Sequence, residues 1–324
     1  MINTAVIERC TLKFIVKVQI DGKTKRNILF LDAFLKAYSS GVVPKFETLA
    51  VSIPKKHVFH VELNRPKKLN TFNHAMWKEL SQCFMSLSNN PECRVIVLSG
   101  QGKHFTAGID LNSMMELGAK ANDYEDVARK ARMFYNVIEE YQDGLSALED
   151  CIKPVIAVVH HACVGAGMDL ITAADIRYCT EDAWFQVAEV DVGLAADVGT
   201  LQRLPKVIGS ASTARELCFT GRKVDSKEAL ELGLVTKVYP DRDVAIEKAL
   251  DVAENIALKS PVAVQNTKIN LVYSQSRPTK EGLYHIVSIS LKYTQGSNFN
   301  RKQQVTRSTY SAQAKSRELA TNYY

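Results

Sequence analysis

Three carboxylates lie within one short stretch of the sequence that is otherwise mostly apolar. The stretch AEVDVGLAADVGTLQRLP, residues 188–205, contains Glu189, Asp191 and Asp197 among Ala, Val, Leu and Gly. An ionised carboxylate that is removed from water without a partner is costly, or its pKa rises. The three acids are therefore predicted either to face water or to take part in chemistry.

Two other stretches share a pattern in which a buried strand leads through small residues into a helix. They are VIVLSGQGKHFTAGIDL and VIAVVHHACVGAGMDL. Their turns, residues 106–108 and 164–167, expose backbone N–H groups where small side chains let a ligand atom approach closely. Two such groups from different loops could form an oxyanion hole for a thioester carbonyl. Taken singly, either stretch is also compatible with an ordinary strand-to-helix turn.

Several other kinds of site find little support in the sequence. The stretch GAGMDL lacks the third glycine of a dinucleotide-binding G-x-G-x-x-G loop, and there is no G-x-S-x-G of a serine hydrolase. The seven cysteines contain no C-x-x-C pair, and His160 and His161 have no second histidine at ligand spacing. We therefore predict no metal site and no disulfide framework, as in a reducing compartment.

The elements that must position these residues alternate between strand and helix. HVFHVEL alternates like a half-buried strand, and NHAMWKELSQCFMSL returns apolar residues at helical spacing behind a cap at Asn73. RVIVLSG and PVIAVVH are predicted buried strands, a helix is predicted to begin near Ile109, and a long polar helix is predicted over 123–150. Strands separated by helices favour an α/β core.

The last third of the chain has a different character. It predicts helices over about 241–258, 262–275 and 279–293, each with an apolar stripe. Because one small core cannot cover all of these stripes, we expect a homo-oligomer. The predicted organisation is an amino-terminal extension over 1–46, a core over 47–240 and a helical region over 241–324.

Composition and charge limit the partners. The chain has 324 residues, of which 46% are hydrophobic and 23% charged, as in an ordinary soluble globular protein. No apolar run reaches the roughly 20 residues that span a bilayer. The net charge of +6 suits an anionic small molecule, but the basic residues are scattered without an aromatic patch, so nucleic acid is not expected.

The first 40 residues contain seven Lys or Arg and three acids, which favours an organellar transit segment. The same segment also fits a hairpin with a turn at Asp21 and Gly22. The final residues NYY are not a peroxisomal S-K-L signal. We therefore expect a mitochondrial protein, with a peroxisomal one as the alternative.

Three motifs together resemble the crotonase (enoyl-CoA hydratase/isomerase) superfamily over about residues 47–275. They are FTAGIDL, VGAGMDLITAADIRYCTEDAWFQVAEVDVGL and AADVGTLQRLPKVIG. Within the superfamily the resemblance is to its dienoyl-CoA isomerases. It implies a crotonase-type core of repeated strand-strand-helix units with a C-terminal helical oligomerisation region, and a homotrimer or homohexamer. It also implies an acyl-CoA thioester substrate in unsaturated fatty acid β-oxidation, with no cofactor beyond the coenzyme A that the substrate carries.

The resemblance also assigns the thioester site. It implies that the N–H groups of Ala107 and Ala166 hold the thioester oxygen, where relatives usually have Gly at the second position. An Ala still donates its N–H, provided that its methyl group clears the ligand. The rest of the first loop is implied to bind substrate. Its members are Gly108, Ile109, Asp110 and Leu111, although Asp110 is also suited to stabilising a helix start.

The acids distinguish the subfamilies. Hydratases with this fold carry two glutamates at the positions of Asp169 and Glu189, whereas this chain has a shorter first acid and a third acid at Asp197. Moving both double bonds of a 3,5-dienoyl thioester to positions 2 and 4 takes a proton from C2 and delivers one to C6. We therefore expect Asp197 to be the base, Glu189 the acid and Asp169 a supporting group, with Asp191 structural.

Alternatives remain at this point. A hydratase or a delta(3)-delta(2)-enoyl-CoA isomerase is the nearest enzymatic one, and an RNA-binding protein of the same fold belongs to a different class. The basic residues Arg65, Lys67 and Lys68 could meet coenzyme A phosphates, although a run of charges is more often a solvated face.

Overall fold

The computed structural model describes residues 45–294. The basic amino-terminal segment, its alternative hairpin and the final NYY lie outside the described residues. Two sheets, ten α-helices and two short 3-10 helices make up the regular structure of the described part. The mixed α/β architecture confirms the fold class predicted above.

The larger sheet has six strands in the order β1-β2-β3-β4-β6-β9. β1 and β2 are antiparallel, and all the other neighbours are parallel. The smaller sheet has the order β5-β7-β8. The strands are β1 Leu49–Lys55, β2 Val58–Leu63, β3 Val95–Gly100, β4 Val155–Val159, β5 Ala162–Val164, β6 Ile176–Thr180, β7 Trp184–Gln186, β8 Val224–Asp225 and β9 Lys237–Tyr239.

The helices follow the predicted periodicity closely. The side chain of Asn73 accepts the N–H of Met76 and so caps α1, as the sequence predicts. The helix predicted from near Ile109 begins two residues later, behind a cap at Asp110. The helices are α1 His74–Asn89, α2 Leu111–Asn122, α3 Val127–Asp150, α4 Ala166–Thr172, α5 Thr200–Val207, α6 Ala211–Thr220, α7 Ser226–Glu231, α8 Arg242–Ala257, α9 Pro261–Ser274 and α10 Thr279–Thr294.

The inner strands of the six-stranded sheet are buried on both faces, because their side chains alternate between two apolar cores. Ile96 and Leu98 of β3 belong to the larger core with α1 and α3, whereas Val95 and Val97 belong to the core under α8. On α8 the buried side is a stripe of small residues that lets the helix approach the sheet. The stripe consists of Ala245, Ala249, Ala253 and Ala257.

The chain divides into two compact units, and the division falls after Lys259. The predicted core ends at residue 240, where helical stretches replace strand signals, whereas the first unit also includes α8, which packs on the core sheet. In the second unit α9 contacts α10. The ring of Tyr273 stacks on that of His285 at a centroid distance of 3.7 Å. Within residues 45–294, no helix is both long and apolar enough to cross a membrane.

Candidate active site

All nine residues that the sequence predicts for the site line one cavity of about 560 Å³. They come from the loop after β3, from α4 and from the segment that follows β7. The structure thus brings together side chains that are up to 90 positions apart in the chain. The nine are Ala107, Gly108, Ile109, Asp110, Leu111, Ala166, Asp169, Glu189 and Asp197.

The two strand-to-helix turns lie side by side because the first loop pairs with β5. The Thr106 N–H donates to the carbonyl of Ala162 at 3.0 Å, and the Val164 N–H donates to the carbonyl of Thr106 at 3.2 Å. These two bonds form a short parallel bridge between residues 106 and 163. The turns at 107–109 and 164–166 are therefore held next to each other at one wall of the cavity.

Two glycines allow this close approach. Gly108 has a φ of +92°, and a Cβ there would lie 3.1 Å from the carbonyl oxygen of Val164. Gly165 has a φ of +52°, and a Cβ there would lie 3.3 Å from Oε1 of Glu189. Both backbone conformations favour glycine, and at both positions a Cβ would require its neighbour to shift by a few tenths of an ångström. The glycines therefore bring the second turn against the first turn and against the Glu189 carboxylate.

The first predicted oxyanion donor, Ala107, is not available in this structure. Its N–H donates to the carbonyl of Leu69 at a distance of 3.0 Å. This bond fixes the loop against the segment before α1, so Ala107 lines the cavity without offering its N–H to a ligand. The assignment of Ala107 as the first donor is therefore corrected: its contribution is to the shape of the loop.

Ile109 supplies the backbone donor that Ala107 does not. The N–H of Phe72 donates to the carbonyl of Gly108, and the N–H of Asp110 donates to the carbonyl of Phe72. Because backbone groups point to alternate sides of an extended segment, the N–H of Ile109 between them points away from Phe72. Among the described residues the N–H of Ile109 has no protein partner, and neither has that of Ala166 at the first position of α4. These two N–H groups, on neighbouring turns of one cavity, form a candidate oxyanion hole.

Asp169 lies on α4 and is completely buried. Its Oδ1 accepts the N–H of Thr200 at 2.5 Å, while its Oδ2 has no hydrogen-bond partner within the described residues. Burial raises the pKa of Asp169 to about 6, against the hydrogen bonding of Thr200 and the nearby charge of Arg203, which lower it. A carboxyl group in this state titrates close to neutral pH.

Glu189 begins a short 3-10 helix, Glu189–Val192, and its Oε2 is buried without a partner in the described part of the chain. Burial and the charge of Asp169 raise the pKa of Glu189 to about 7. Asp197 is more exposed, and burial also raises its pKa. The three acids are close enough to influence one another, so at neutral pH they share fewer than three negative charges.

Apolar side chains form much of the remaining wall. The Trp77 and Tyr141 rings, from α1 and α3, stack at a centroid distance of 4.4 Å and an angle of 12°. Both line the cavity together with Leu194 and Val198. Such a wall is suited to an apolar part of a ligand and adds to the burial of Asp169, whereas Asp197 stays exposed to water.

The outer part of the first loop caps a helix and lines the entrance of the cavity. Asp110 caps α2 and forms a 3.0 Å ion pair with Arg65. Partial burial opposes ionisation, but hydrogen bonding by Arg65 lowers the pKa of Asp110. Leu111 is 62% exposed at the rim. Lys67 and Lys68 line the cavity, whereas Arg65 is occupied with Asp110.

One acid, Asp191, and two histidines, His104 and His161, are not part of the site. Asp191 is exposed, accepts a hydrogen bond from Gln186 at 3.0 Å and does not line the cavity. His161 pairs with His104 through their Nδ1 atoms at 2.8 Å. Across residues 45–294, no group of three or more His, Cys, Asp or Glu side chains could hold a metal ion.

Sequence reasoning missed the residues that hold the acids in place. The Gln142 side chain donates to the carbonyl of Asp197 at 2.6 Å, and Arg203 pairs with Glu149 at 2.9 Å. The available signal was the recurrence of polar residues along one face of α3. That periodicity was consistent with a solvated face and could not identify the partners.

The chain is similar in sequence and in fold to known proteins. The family model described as enoyl-CoA hydratase/isomerase matches residues 54–307. The chain is 50% identical over 263 residues to "Delta(3,5)-Delta(2,4)-dienoyl-CoA isomerase, mitochondrial" of Homo sapiens, which covers 81% of this chain and 79% of the relative. It is 43% identical to the peroxisomal protein of that name from Arabidopsis thaliana, over 71% of this chain and 83% of the relative.

A solved structure shares the fold. The crystal structure of an enoyl-CoA hydratase from Bacillus anthracis superposes with a TM-score of 0.70 at 26% sequence identity, over 81% of this chain and 97% of that one.

Proposed function

This chain belongs to the enoyl-CoA hydratase/isomerase family, and we propose that its cavity converts 3,5-dienoyl-CoA to 2,4-dienoyl-CoA, a step in the β-oxidation of unsaturated fatty acids. The observation that carries the proposal is the third acid, Asp197, which lines the same cavity as Asp169 and Glu189. The relatives at about half identity that bear this enzyme's name give independent support.

The reaction is a pair of proton transfers. Asp197 takes a proton from C2, and the electron pair of that C–H bond delocalises through the diene and onto the thioester oxygen. Glu189 delivers its proton to C6, which shifts both double bonds one position toward the thioester. Atoms and charge balance, because Asp197 ends protonated and Glu189 ionised; proton exchange between them or with water then restores the starting state.

The raised pKa values support this division of work. With a pKa of about 7, Glu189 holds a proton in a large fraction of molecules at neutral pH and can act as an acid. Asp197 is more exposed than Asp169 and Glu189, so water helps it to stay ionised as the base. Asp169 is completely buried behind them and supports the proton balance rather than contacting the distant C6.

The negative charge that develops on the thioester oxygen needs donors. We assign this role to the N–H groups of Ile109 and Ala166, which have no protein partner in the described residues. Fixed backbone dipoles at the start of α4 stabilise an enolate oxygen without reorganising during the reaction. The reaction consumes no redox equivalent, so we assign no cofactor, and the coenzyme A is part of the substrate.

Coenzyme A itself brings phosphates to the cavity entrance. We assign Lys67 and Lys68 to this end of the substrate because both are exposed and both line the cavity. The stacked rings of Trp77 and Tyr141 would contact the acyl chain instead. The proposed orientation therefore places the thioester at the two turns, with the diene along the acids.

The exposed apolar faces and the relatives also bear on assembly and location. Leu271, Leu283 and Val287 on the last two helices are more than half exposed in the single chain. Apolar side chains on such faces favour a homotrimer or homohexamer. Sedimentation at micromolar concentration tests this, and a monomeric mass would exclude it. We propose a mitochondrial location, because that is where the relative from Homo sapiens is named to reside.

The direct test of the function uses the purified full chain and synthetic 3,5-dienoyl-CoA. We expect the absorbance of the conjugated 2,4-dienoyl thioester to appear with catalytic turnover. The matched control substrate is a 2-enoyl-CoA, whose hydration consumes absorbance instead. Rapid hydration of the control with no conversion of the diene would show that the chain is a hydratase, and inactivity with both would favour a binding protein.

A further inference from the structure

One face of α3 holds the segment that carries Asp197. Gln142, Ser146 and Glu149 follow each other at the i, i+4 and i+7 positions, so they share one side of the helix. Gln142 donates to the carbonyl of Asp197, and the other two bind the guanidinium of Arg203. The segment 197–203 is thus attached to α3 at both of its ends.

Arg203 occupies the space beneath the turn between these ends. Gly199 has a φ of +138°, and a Cβ there would lie 1.9 Å from a terminal nitrogen of Arg203. No side chain can be accommodated at residue 199 unless the arginine moves. The next residue, Thr200, donates its N–H to Asp169. The arginine therefore supports the backbone that links the acid at 197 to the acid at 169.

Arg203 is itself well fixed. Its Nε lies 3.0 Å from Oε2 of Glu149, a terminal nitrogen lies 2.9 Å from the same oxygen, and that nitrogen also donates to Ser146 at 2.9 Å. Its side chain is only 13% exposed. A planar guanidinium that binds two acceptors in fixed positions holds the neighbouring backbone in place more rigidly than a flexible ammonium would.

The charge of Arg203 also acts on the site. It opposes the burial that raises the pKa of Asp169. Arg203 does not line the cavity, so within the described residues it influences the acids from behind them rather than by contact with a ligand.

We propose that Arg203 is a positioning residue for the proton-transfer acids, an inference that rests on the proposed function. Anchored on α3 through Glu149, its guanidinium supports the Gly199 turn that sets Asp197 relative to Asp169. An ordinary structural ion pair is the alternative. That alternative predicts a loss of stability with no selective change in kcat and no change in the pH profile.

The first experiment compares Arg203→Met with Arg203→Lys. Met keeps the apolar length of the side chain but removes the positive charge and the planar, forked set of N–H donors of the guanidinium. We expect kcat to fall about 10-fold or more, KM to change less than about 3-fold, and the acidic limb of the pH profile to move to higher pH. Lys keeps the charge without the fork, so it should restore the pH profile and only part of kcat.

Arg222→Met is the matched control. Arg222 also pairs with two glutamates, Glu216 and Glu228, but none of these three residues lines the cavity. We expect this variant to lose stability and to keep the wild-type kcat and pH profile. Thermal unfolding of every variant verifies that the compared proteins are folded.

Glu149→Gln tests the anchor. If the arginine acts through its attachment to α3, this variant should lower kcat in the same direction. The double variant with Arg203→Met should then lose much less than the product of the two factors, because both changes remove one support. Losses that multiply would contradict a shared support.

A readout that does not need turnover separates this inference from the proposed function. Carbon-13 NMR of protein labelled at aspartate carboxyls follows the titration of Asp169, and Asp169→Asn assigns its signal. We expect Arg203→Met to raise the titration midpoint, even if wild-type protein fails to convert the diene. An unchanged midpoint, or an unchanged kcat and pH profile in a folded and otherwise active protein, would overturn the proposed role of Arg203.

Discussion

The carboxylate of Glu189 packs directly against the backbone of Gly165, so closely that a Cβ at Gly165 would lie 3.3 Å from Glu189 Oε1. Gly165 immediately precedes Ala166, the first residue of α4 and one of the two assigned oxyanion donors. The acid and the oxyanion donor are therefore positioned by one backbone turn. A change in this turn is expected to disturb both groups together.

Gly165→Ala should therefore reduce activity by more than it reduces stability. The added methyl must push Glu189 aside by a few tenths of an ångström, and the backbone of Gly165, with φ +52° and ψ −113°, adds about 1–3 kcal/mol of strain for a residue with a Cβ. We expect kcat to fall about 10-fold or more, because even a small displacement of a reacting group lowers the rate strongly. Steady-state kinetics with 3,5-dienoyl-CoA measure this.

Gly233→Ala is the control for the strain alone. Gly233 also has a positive φ, of +74°, but a Cβ there would have no neighbour within 4 Å. It should lose stability, because a positive φ strains any residue with a Cβ, and should keep a normal kcat. Equal kinetic effects of the two substitutions would mean that the contact with Glu189 is unimportant.

Ala166→Pro should remove one oxyanion donor with little damage to the helix. Ala166 is the first residue of α4, a position where proline is tolerated because its N–H has no partner within the helix. We expect kcat to fall by about 10²–10³, the usual loss for one such donor. Binding of a coenzyme A ester should weaken less, because the bond strengthens as charge develops.

Ala211→Pro makes the same change at the first position of α6, outside the cavity. Folded Ala211→Pro protein should keep wild-type kinetics. If Ala166→Pro also turns over normally, the start of α4 does not bind the thioester oxygen.

Local chemistry was enough to predict much of this molecule. The cap at Asn73 and the helices at 242–257, 261–274 and 279–294 follow from side-chain type and periodicity, which are properties of neighbouring residues. The convergence of the acids on one cavity followed from the family resemblance. Their isolation in an apolar stretch only indicated that they needed an explanation.

Contacts between distant segments could not be predicted in the same way. Whether Ala107 or Ile109 offers its N–H depends on pairing with Leu69 and Phe72, which lie more than 30 residues earlier. The support of Asp197 by Gln142 and of the Gly199 turn by Arg203 likewise depends on how α3 docks. Tertiary packing determines which N–H is free and which side chains pair, and the spacing of residues in the sequence does not reveal it.

Glu189→Gln should stabilise the protein at neutral and alkaline pH. The folded pKa of about 7 exceeds the ordinary value of 4.5, so the folded state binds more protons than the unfolded chain between these pH values. The free energy of unfolding of wild-type protein should therefore fall as pH rises from about 4.5 to 7. Removing the acid should recover about 1–3 kcal/mol at pH 8 and little at pH 4.

Glu228→Gln is expected to show the opposite dependence. Hydrogen bonding by Arg222 lowers the pKa of Glu228, so this group stabilises the folded state at neutral pH and ceases to do so as pH falls through its folded pKa. The variant should be less stable than wild type at pH 8, and the difference should narrow in acid. Urea unfolding at pH 4, 6 and 8 measures the free energy of unfolding of both variants and of wild type. If Glu189→Gln is less stable than wild type at pH 8, the charge of Glu189 is favourable in the folded state and this prediction is wrong.

The most direct test of the central claim is the rate of 2,4-dienoyl-CoA formation by Asp197→Asn. This substitution keeps the size of the side chain and removes the proposed base, so the rate should fall by about 10²–10⁴. Glu189→Gln should fall comparably, and the double variant should not lose the product of the two factors, because both acids serve one proton-transfer sequence. Coenzyme A ester affinity is the control and should stay near wild type. If folded Asp197→Asn protein retains more than about a tenth of the wild-type rate, a loss smaller than removal of a base predicts, Asp197 is not the base and the two-carboxylate account is wrong.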